Sequence, residues 1–436
     1  MATTFYRLFL WLYRCGAIVL SPFNEKASRW LSGRKNIFAN LQASIDTKKR
    51  KPIWFHCASL GEFEQARPLL EIIRKQYPGH YILLSFFSPS GYEVRKDYKG
   101  ADCVTYLPLD SAGNAKKMLD IIQPGLVIWV KYEYWHFYLQ QIKQRHIPLL
   151  LVSGIFRSDQ PFFKFWGNFH RNMLNCFTYL FVQNQDSKKL LGSIGFSDNV
   201  TVSGDTRFDR VIEIADEAKS IPIIEQFING SSVIVAGSTW EEDEEELDHF
   251  ANTHPEIKFI IAPHETDEAH LKEIEKLFHH TIRYSKLLAG HAQIQARAFG
   301  TIPGNRDHAE PLEQNVLIID NIGMLAQLYR YATIAYVGGG FGNDGVHNVL
   351  EAAVYSKPVI FGPVYEKFAE AVQLIDAGGA FSIENALELE ENLLILLKNG
   401  NEYKVASRAA GAYVYANKGA TQKILDYIQE KRLLTN

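Results

Sequence analysis

At 436 residues the chain is too long for one compact core, which predicts two domains, and its 47% hydrophobic and 22% charged residues are those of a globular protein. Cys15, Cys57, Cys103 and Cys176 form no CxxC pair and no HExxH is present, which argues against a zinc ribbon or a disulfide scaffold and fits a reducing compartment. The net charge of −3 hides a division: ten Lys/Arg against Glu25 and Asp46 give residues 1–51 a charge of +8, leaving −11 for the rest.

The basic end opens with FYRLFLWLYRCGAIVL over residues 5–20. This apolar run is shorter than the ~20 residues that span a bilayer. Arg7 and Arg14 interrupt it, and no small-residue cleavage site follows, against a signal peptide. Aromatics and arginines mixed on one helix predict an interfacial anchor on an anionic membrane surface, with no nucleic-acid motif in sight. The competing reading docks this helix on the protein's own core.

Ile53–Cys57 reads as a buried strand, and Phe63, Ala66, Leu69, Leu70 and Ile73 recur behind it at helical spacing. Ser59-Leu60-Gly61 is therefore a tight strand-to-helix turn, and Glu62 opens the helix. A first-turn glutamate complements the helix dipole, so its position alone does not separate that role from a catalytic one. Further strands are expected at Tyr81–Phe86, Leu126–Val130, Ile147–Val152 and Tyr179–Val182, with helices near 61–76, 112–122 and 134–145. This alternation predicts a parallel sheet with crossover helices.

Ile221-Pro222 and Asn229-Gly230 punctuate the pattern within 205–230. A second set of strands follows from Ser232 to Ala236, then at Lys258–Ala262, Val316–Ile319, Thr333–Val337 and Pro358–Phe361. Helices are expected near 241–253, 266–278, 322–330, 345–356 and 367–377, and again over 403–432. The reading is an α/β chain of two Rossmann-like doubly wound domains, whose strand C-termini and ligand sites face one cleft. Its boundaries are a membrane-contacting basic segment at 1–40, domains at 41–210 and 211–402, and C-terminal helices at 403–436.

In the second domain a strand runs into Gly338-Gly339-Gly340, with a helix expected from Gly345–His347. Backbone N–H groups at such a turn can cradle a phosphate. The spacing is neither GxGxxG nor GxxxxGK[ST], which disfavours a dinucleotide-dependent dehydrogenase or a P-loop enzyme. Glu351 stands where it could reach ribose hydroxyls, and His347 and Asn348 nearer an anionic group; a crowded packing turn is the alternative for the glycines. After the first strand of this domain, Ser238 or Thr239 could cap a helix that begins Glu241-Glu-Asp-Glu-Glu-Glu246, an acid run read as a solvated helix start.

Taken together these motifs resemble the 3-deoxy-D-manno-octulosonic acid (Kdo) transferases, glycosyltransferases of the GT-B fold. Ser59-Leu-Gly61-Glu62 is similar to the family's S-x-G-E, Ser90-Gly-Tyr-Glu93 to its T-G-Y-E, and Glu133 to the second acid of E-x-E-x-W. Gly204-Asp-Thr-Arg207-Phe-Asp209 resembles G-N-x-K-[FY]-D, and Ala236-Gly237-Ser238-Thr239 matches A-G-S-T. Gly338-Gly339, Gly345, His347-Asn348 and Leu350-Glu351 match the glycine-rich G-G-H-N-x-L-E segment, and Phe361-Gly-Pro363 the F-G-P beyond it. Two positions depart from the pattern: Lys131 stands at the first acid of E-x-E-x-W, and Ala262-Pro-His264 replaces P-R-H.

The resemblance implies an inverting transfer of Kdo from CMP-Kdo to a lipid A precursor (lipid IVA) at the cytoplasmic face of the inner membrane, by a peripheral or monotopic enzyme. It implies Glu62 as base and Ser59, Gly61, Ser90 and Glu133 on the acceptor side. On the donor side it implies Arg207, Gly237, Ser238, Thr239, His264, Gly338, Gly339, His347, Asn348 and Glu351. No cofactor is expected beyond the donor substrate, and no metal, since the chain has no Asp-x-Asp. A soluble sugar-nucleotide 2-epimerase of similar fold, or a non-catalytic nucleotide-sugar-binding module, remains the alternative.

Overall fold

Among the described residues the strands form two seven-stranded sheets, and every strand pairing in them is parallel. The computed structural model describes residues 2–45, 52–131, 133–290, 314–398 and 400–434. Asp46, Lys48, Lys49, Arg50 and Lys51 of the basic end, and Tyr132, lie outside the described residues.

The first sheet contains β1 (Ile53–Cys57), β2 (Ile82–Phe86), β3 (Cys103–Tyr106), β4 (Leu126–Val130), β5 (Leu149–Gly154), β6 (Tyr179–Val182) and β7 (Val200–Val202) in the order 3-2-1-4-5-6-7. The second contains β8 (Val233–Thr239), β9 (Lys258–Pro263), β10 (Thr281–Arg283), β11 (Val316–Ile318), β12 (Ile334–Val337), β13 (Val359–Phe361) and β14 (Ala380–Ser382) in the order 10-11-9-8-12-13-14. Both orders reverse direction beside the first strand of the sheet, as doubly wound sheets do. Helices cover both faces of such sheets, so the interior strands are apolar throughout. In β4 all five residues, Leu-Val-Ile-Trp-Val, are fully buried.

The chain divides into unit 1, residues 1–210 with 417–436, and unit 2, residues 211–416. The division falls inside helix Thr206–Glu217. The C-terminal stretch 403–436 is split between the units, because Gly419 at φ +100° separates helix Asn401–Ala416 from helix Ala420–Glu430. That last helix belongs to unit 1: the Asp209 carboxylate accepts the Gly419 and Thr421 N–H groups at 2.5 and 2.7 Å, and Ile424, Leu425 and Ile428 enter the core around β1.

The N-terminal run forms helix Ala2–Leu20. Leu10 is buried, the Tyr6 hydroxyl donates to Asp110 at 2.7 Å, and the Tyr6 ring lies against Phe137 and Phe169. The opposite stripe, including Phe5, Phe9, Trp11, Ile18 and Val19, is exposed. The helix thus docks on unit 1 along one face and leaves an aromatic face uncovered. No helix among the described residues is long and apolar enough to cross a membrane.

Candidate active site

β1 ends at Cys57, Ser59 becomes the N-cap, and helix Leu60–Gln76 begins with Glu62 as its third residue. The Glu62 carboxylate accepts the Ser59 backbone N–H at 2.9 Å, closing a capping box. The helix-start reading is therefore correct, but it is not the whole account. Only 8% of Glu62 is exposed, and burial, reinforced by the charge of Glu133, pushes its carboxyl up to about 7. Lys131 opposes the shift, so the residue that departs from the family's acid contributes positive field at this carboxyl.

Glu133 is held from three sides. Its carboxylate accepts from Trp135 Nε1 at 2.8 Å and pairs with His56 Nε2 at 3.0 Å, while its backbone carbonyl accepts from Trp129 Nε1. A carboxylate only accepts, so His56 Nε2 carries a hydrogen, and His56 Nδ1 pairs with the Ser85 hydroxyl at 2.9 Å. Ser85 in turn accepts from Trp54 Nε1 at 2.8 Å. The result is a buried relay from Trp54 through Ser85 and His56 to Glu133. Sequence reading missed His56 because a histidine on β1 looks like one more core residue; its place three residues before Ser59 was the available signal. Ser90 is exposed in the first turn of helix Pro89–Arg95, and Ser88 just ahead of it donates its N–H to Ala58 O at 2.7 Å. Ser59, Gly61, Glu62, Ser90 and Glu133 thus all stand at the C-terminal end of the first sheet.

Unit 2 uses its acids differently. Ser238 and Thr239 do not cap helix Glu241–Thr253; the Trp240 N–H is instead accepted by Asp243 at 3.0 Å. The acid run is not a solvated start throughout, because Asp243 and Glu244 are only 1% and 2% exposed. Asp243 also accepts the Gly339 N–H and the Tyr336 hydroxyl, both at 2.8 Å. Glu244 accepts from Thr239 Oγ1 at 2.7 Å and pairs with His270 Nε2 at 2.9 Å. These two carboxylates are drawn inward because the sheet end supplies the donors that water would otherwise supply.

The glycine turn is crowded. A Cβ on Gly339, whose φ is +87°, would meet Gly345 O at 2.6 Å and His347 Cδ2 at 2.8 Å. The N–H groups of Gly338, Gly339, Gly342 and Gly345 are engaged by Gly237 O, Asp243, Gly339 O and Gly342 O. The turn is thus a packing device rather than an open row of phosphate donors. Nor does the helix start at Gly345–His347. Gly345 adopts φ +81°, Val346 N–H bonds Val364 O and His347 N–H bonds Gly338 O, so no helix forms before Leu350–Ala353.

Side chains gather over this turn. The His264 ring stacks on both Trp240 (4.5 Å) and His347 (4.7 Å), and Trp240 Nε1 donates to His347 Nε2 at 3.1 Å. Burial, with His264 adding to it, holds His347 down to about 4, so the ring is neutral at pH 7. Asn348 donates to Glu351 Oε1 at 3.0 Å and accepts the Leu350 N–H at 3.3 Å. Gly237, Ser238, Thr239, His264, Gly338, Gly339, His347, Asn348 and Glu351 all lie in unit 2. Arg207 does not; it lies in unit 1 and forks onto Asp205 at 2.8 and 3.0 Å.

Residues 33–210 match the family model of 3-deoxy-D-manno-octulosonic-acid transferase (kdotransferase). The chain is 28% identical over 364 residues to the 3-deoxy-D-manno-octulosonic acid transferase of Aquifex aeolicus, covering 82% of this chain and 89% of that protein. It is 26% identical to the enzyme of that name from Rickettsia felis, over 87% of this chain and 78% of the relative. Among solved structures, a UDP-GlcNAc 2-epimerase from Neisseria meningitidis aligns with a TM-score of 0.58 at 16% identity, over 87% of this chain and all of that one. A glycosyltransferase from Rickettsia africae aligns with a TM-score of 0.53 at 15% identity, over 89% and 99%. The structural neighbours share the α/β fold alone, whereas the two sequence relatives align over more than four-fifths of this chain. The chain is a glycosyltransferase of GT-B fold whose sequence is similar to Kdo transferases over more than four-fifths of its length.

Proposed function

We propose that this glycosyltransferase is a Kdo transferase, which takes the sugar from CMP-Kdo and delivers it to a lipid A precursor by a single inverting displacement. Glu62 removes the proton of the acceptor hydroxyl while that oxygen bonds the anomeric carbon of Kdo. The bond from that carbon to the phosphate oxygen breaks, and CMP departs with the electron pair. One observation carries the reading: a buried carboxyl at the end of β1 is pushed up to about 7, where a general base works best at neutral pH.

On the acceptor side the proposal assigns Ser59, Gly61, Ser90 and Glu133. On the donor side it assigns His347 and Asn348 to the anionic group and Glu351 to the ribose, with Gly237, Ser238, Thr239, His264, Gly338 and Gly339 shaping the site. The resemblance assigns Arg207, a residue of unit 1, to the donor as well. CMP has a single phosphate, which lessens the electrostatic need for a cation, and transfer is expected to survive EDTA. Among the described residues no three His, Cys, Asp or Glu side chains converge as metal ligands. The test is mass spectrometry of a lipid A precursor incubated with CMP-Kdo: a mass gain of one or more Kdo units is expected. An unchanged lipid with an epimerised sugar nucleotide would favour the epimerase reading.

We further propose that the enzyme lies on the cytoplasmic face of the inner membrane through helix Ala2–Leu20. The exposed aromatic stripe and Arg7 and Arg14 support this, since aromatic insertion and basic residues near an anionic leaflet both favour attachment. Phe9→Ser with Trp11→Ser should lower binding to anionic liposomes and leave CMP affinity intact. Equal liposome binding would confine this helix to docking on unit 1.

A further inference from the structure

The three stacked rings of unit 2 carry information about one proton. An indole N–H is a donor and never an acceptor. Because Trp240 Nε1 donates to His347 Nε2 at 3.1 Å, that nitrogen must present a lone pair. A doubly protonated ring has no lone pair on either nitrogen, so this bond also opposes imidazolium. A neutral histidine with an unprotonated Nε2 carries its hydrogen on Nδ1. No hydrogen bond joins His347 Nδ1 to any described residue, and this nitrogen is not among the buried polar atoms left without a partner. The Nδ1–H is thus spare and within reach of solvent.

The surroundings fix the ring as well as the proton. His264 lies flat against His347, the two ring planes meeting at 17°, and it also stacks on Trp240 at 25°, so one imidazole packs on both partners of the Trp240–His347 hydrogen bond. The absence of a side chain at Gly339 leaves room for the imidazole edge. His347 N–H is tied to Gly338 O at 3.0 Å, which anchors its backbone to the end of β12.

We propose that Trp240 is a positioning residue: it locks His347 into the Nδ1–H tautomer and so makes it a neutral, single hydrogen-bond donor to the anionic group of the sugar nucleotide. This rests on the donor-site reading above. The lock itself is a property of the ligand-free protein and is tested separately. A neutral donor suits a group that must release the nucleotide afterwards, since it binds an anion less tightly than a cation does.

The test is nitrogen NMR of the full-length protein labelled with 15N-histidine, with His347 assigned by comparison with His347→Ala. The expected spectrum has a protonated Nδ1 and a lone-pair Nε2. An Nε2–H signal in the unsubstituted protein overturns the proposal without any further variant. In Trp240→Phe, which keeps an aromatic ring and loses the donor, the Nε2–H form should appear and affinity for CMP should fall about five-fold, the scale of one hydrogen bond. An unchanged tautomer in this variant, or a changed tautomer with unchanged CMP affinity, overturns the proposal. The donor-site reading has its own arm: if His347→Ala binds CMP as well as the unsubstituted protein, that reading fails whatever the tautomer.

Discussion

Glu62 and Asp243 occupy the same place in two different units. Each is the third residue of the helix that follows the first strand of its sheet, and each accepts the backbone N–H three residues before it. They differ in how many donors they meet. Asp243 also takes a glycine N–H and a tyrosine hydroxyl, so its lone pairs are committed to holding the glycine turn. Glu62 has the Ser59 N–H at 2.9 Å, a smaller backbone contribution from Ala58 and a long 3.5 Å approach from the Ser59 hydroxyl, beside a second carboxylate that raises its proton affinity. Position makes both acids helix caps. Saturation with donors makes one structural and leaves the other available to take a proton.

The largest expected effect separates the two acids by activity. Glu62→Gln keeps the capping bond, because glutamine offers a carbonyl oxygen at the same position, yet removes the proton acceptor. Transfer to lipid should fall roughly a hundred- to ten-thousand-fold with CMP affinity unchanged. Near-normal turnover would make both residues mere caps and end the distinction.

Asp243→Ala should act on stability instead, by leaving the Trp240 and Gly339 N–H groups and the Tyr336 hydroxyl without their acceptor. A loss of about 2–4 kcal/mol in urea unfolding of unit 2 is expected. A loss below 1 kcal/mol, roughly the worth of one ordinary hydrogen bond, would mean these donors find other partners.

Glu62→Gln has a stability consequence of the opposite sign. A carboxyl raised from 4.5 to about 7 in the folded protein keeps a proton that the unfolded chain releases, so stability falls as pH rises through that window. Removing the carboxyl should make the protein more stable than the unsubstituted one by on the order of 2 kcal/mol at alkaline pH, with the difference vanishing at acid pH. Equal denaturation midpoints across the range would show that Glu62 is not raised.

The smallest effect sharpens the electrostatic half of the comparison. kcat/KM should rise with pH and level off above about 7, as Glu62 ionises. Glu133→Gln removes the second contributor to the shift and should move this acid limb to lower pH, though not to an ordinary glutamate's value, because burial remains. A limb that stays in place would leave burial as the whole cause.

Much of this was legible in the chain. Ten interior strands were read correctly because strands buried on both faces are apolar throughout. The four that escaped, Cys103–Tyr106, Val200–Val202, Thr281–Arg283 and Ala380–Ser382, are the four sheet edges. Each has only three or four residues, and exposure on one side weakens the apolar signal. The site divides in the same way. Glu62 is visible because its turn is local, whereas the role of Asp243 depends on Tyr336 and Gly339, more than ninety residues away. The helix expected from Gly345 failed for a related reason: its start is set by pairing with Val364 and Gly338, which spacing along the chain does not record.

The return of helix Ala420–Glu430 to unit 1 has a consequence for the order of events during synthesis. Ile424, Leu425, Ile428 and Leu434 complete the core around β1, yet they leave the ribosome only after the whole of unit 2. All of unit 2 emerges before them and is a single unbroken stretch. The half of the protein made first therefore waits, with an apolar face of its founding strand's core uncovered, until the half made second is out. Domains of nascent chains ordinarily mature from the N-terminus onward; here the earlier one is sealed after the later one, and a chain stopped at the end of unit 2 leaves the older half unfinished.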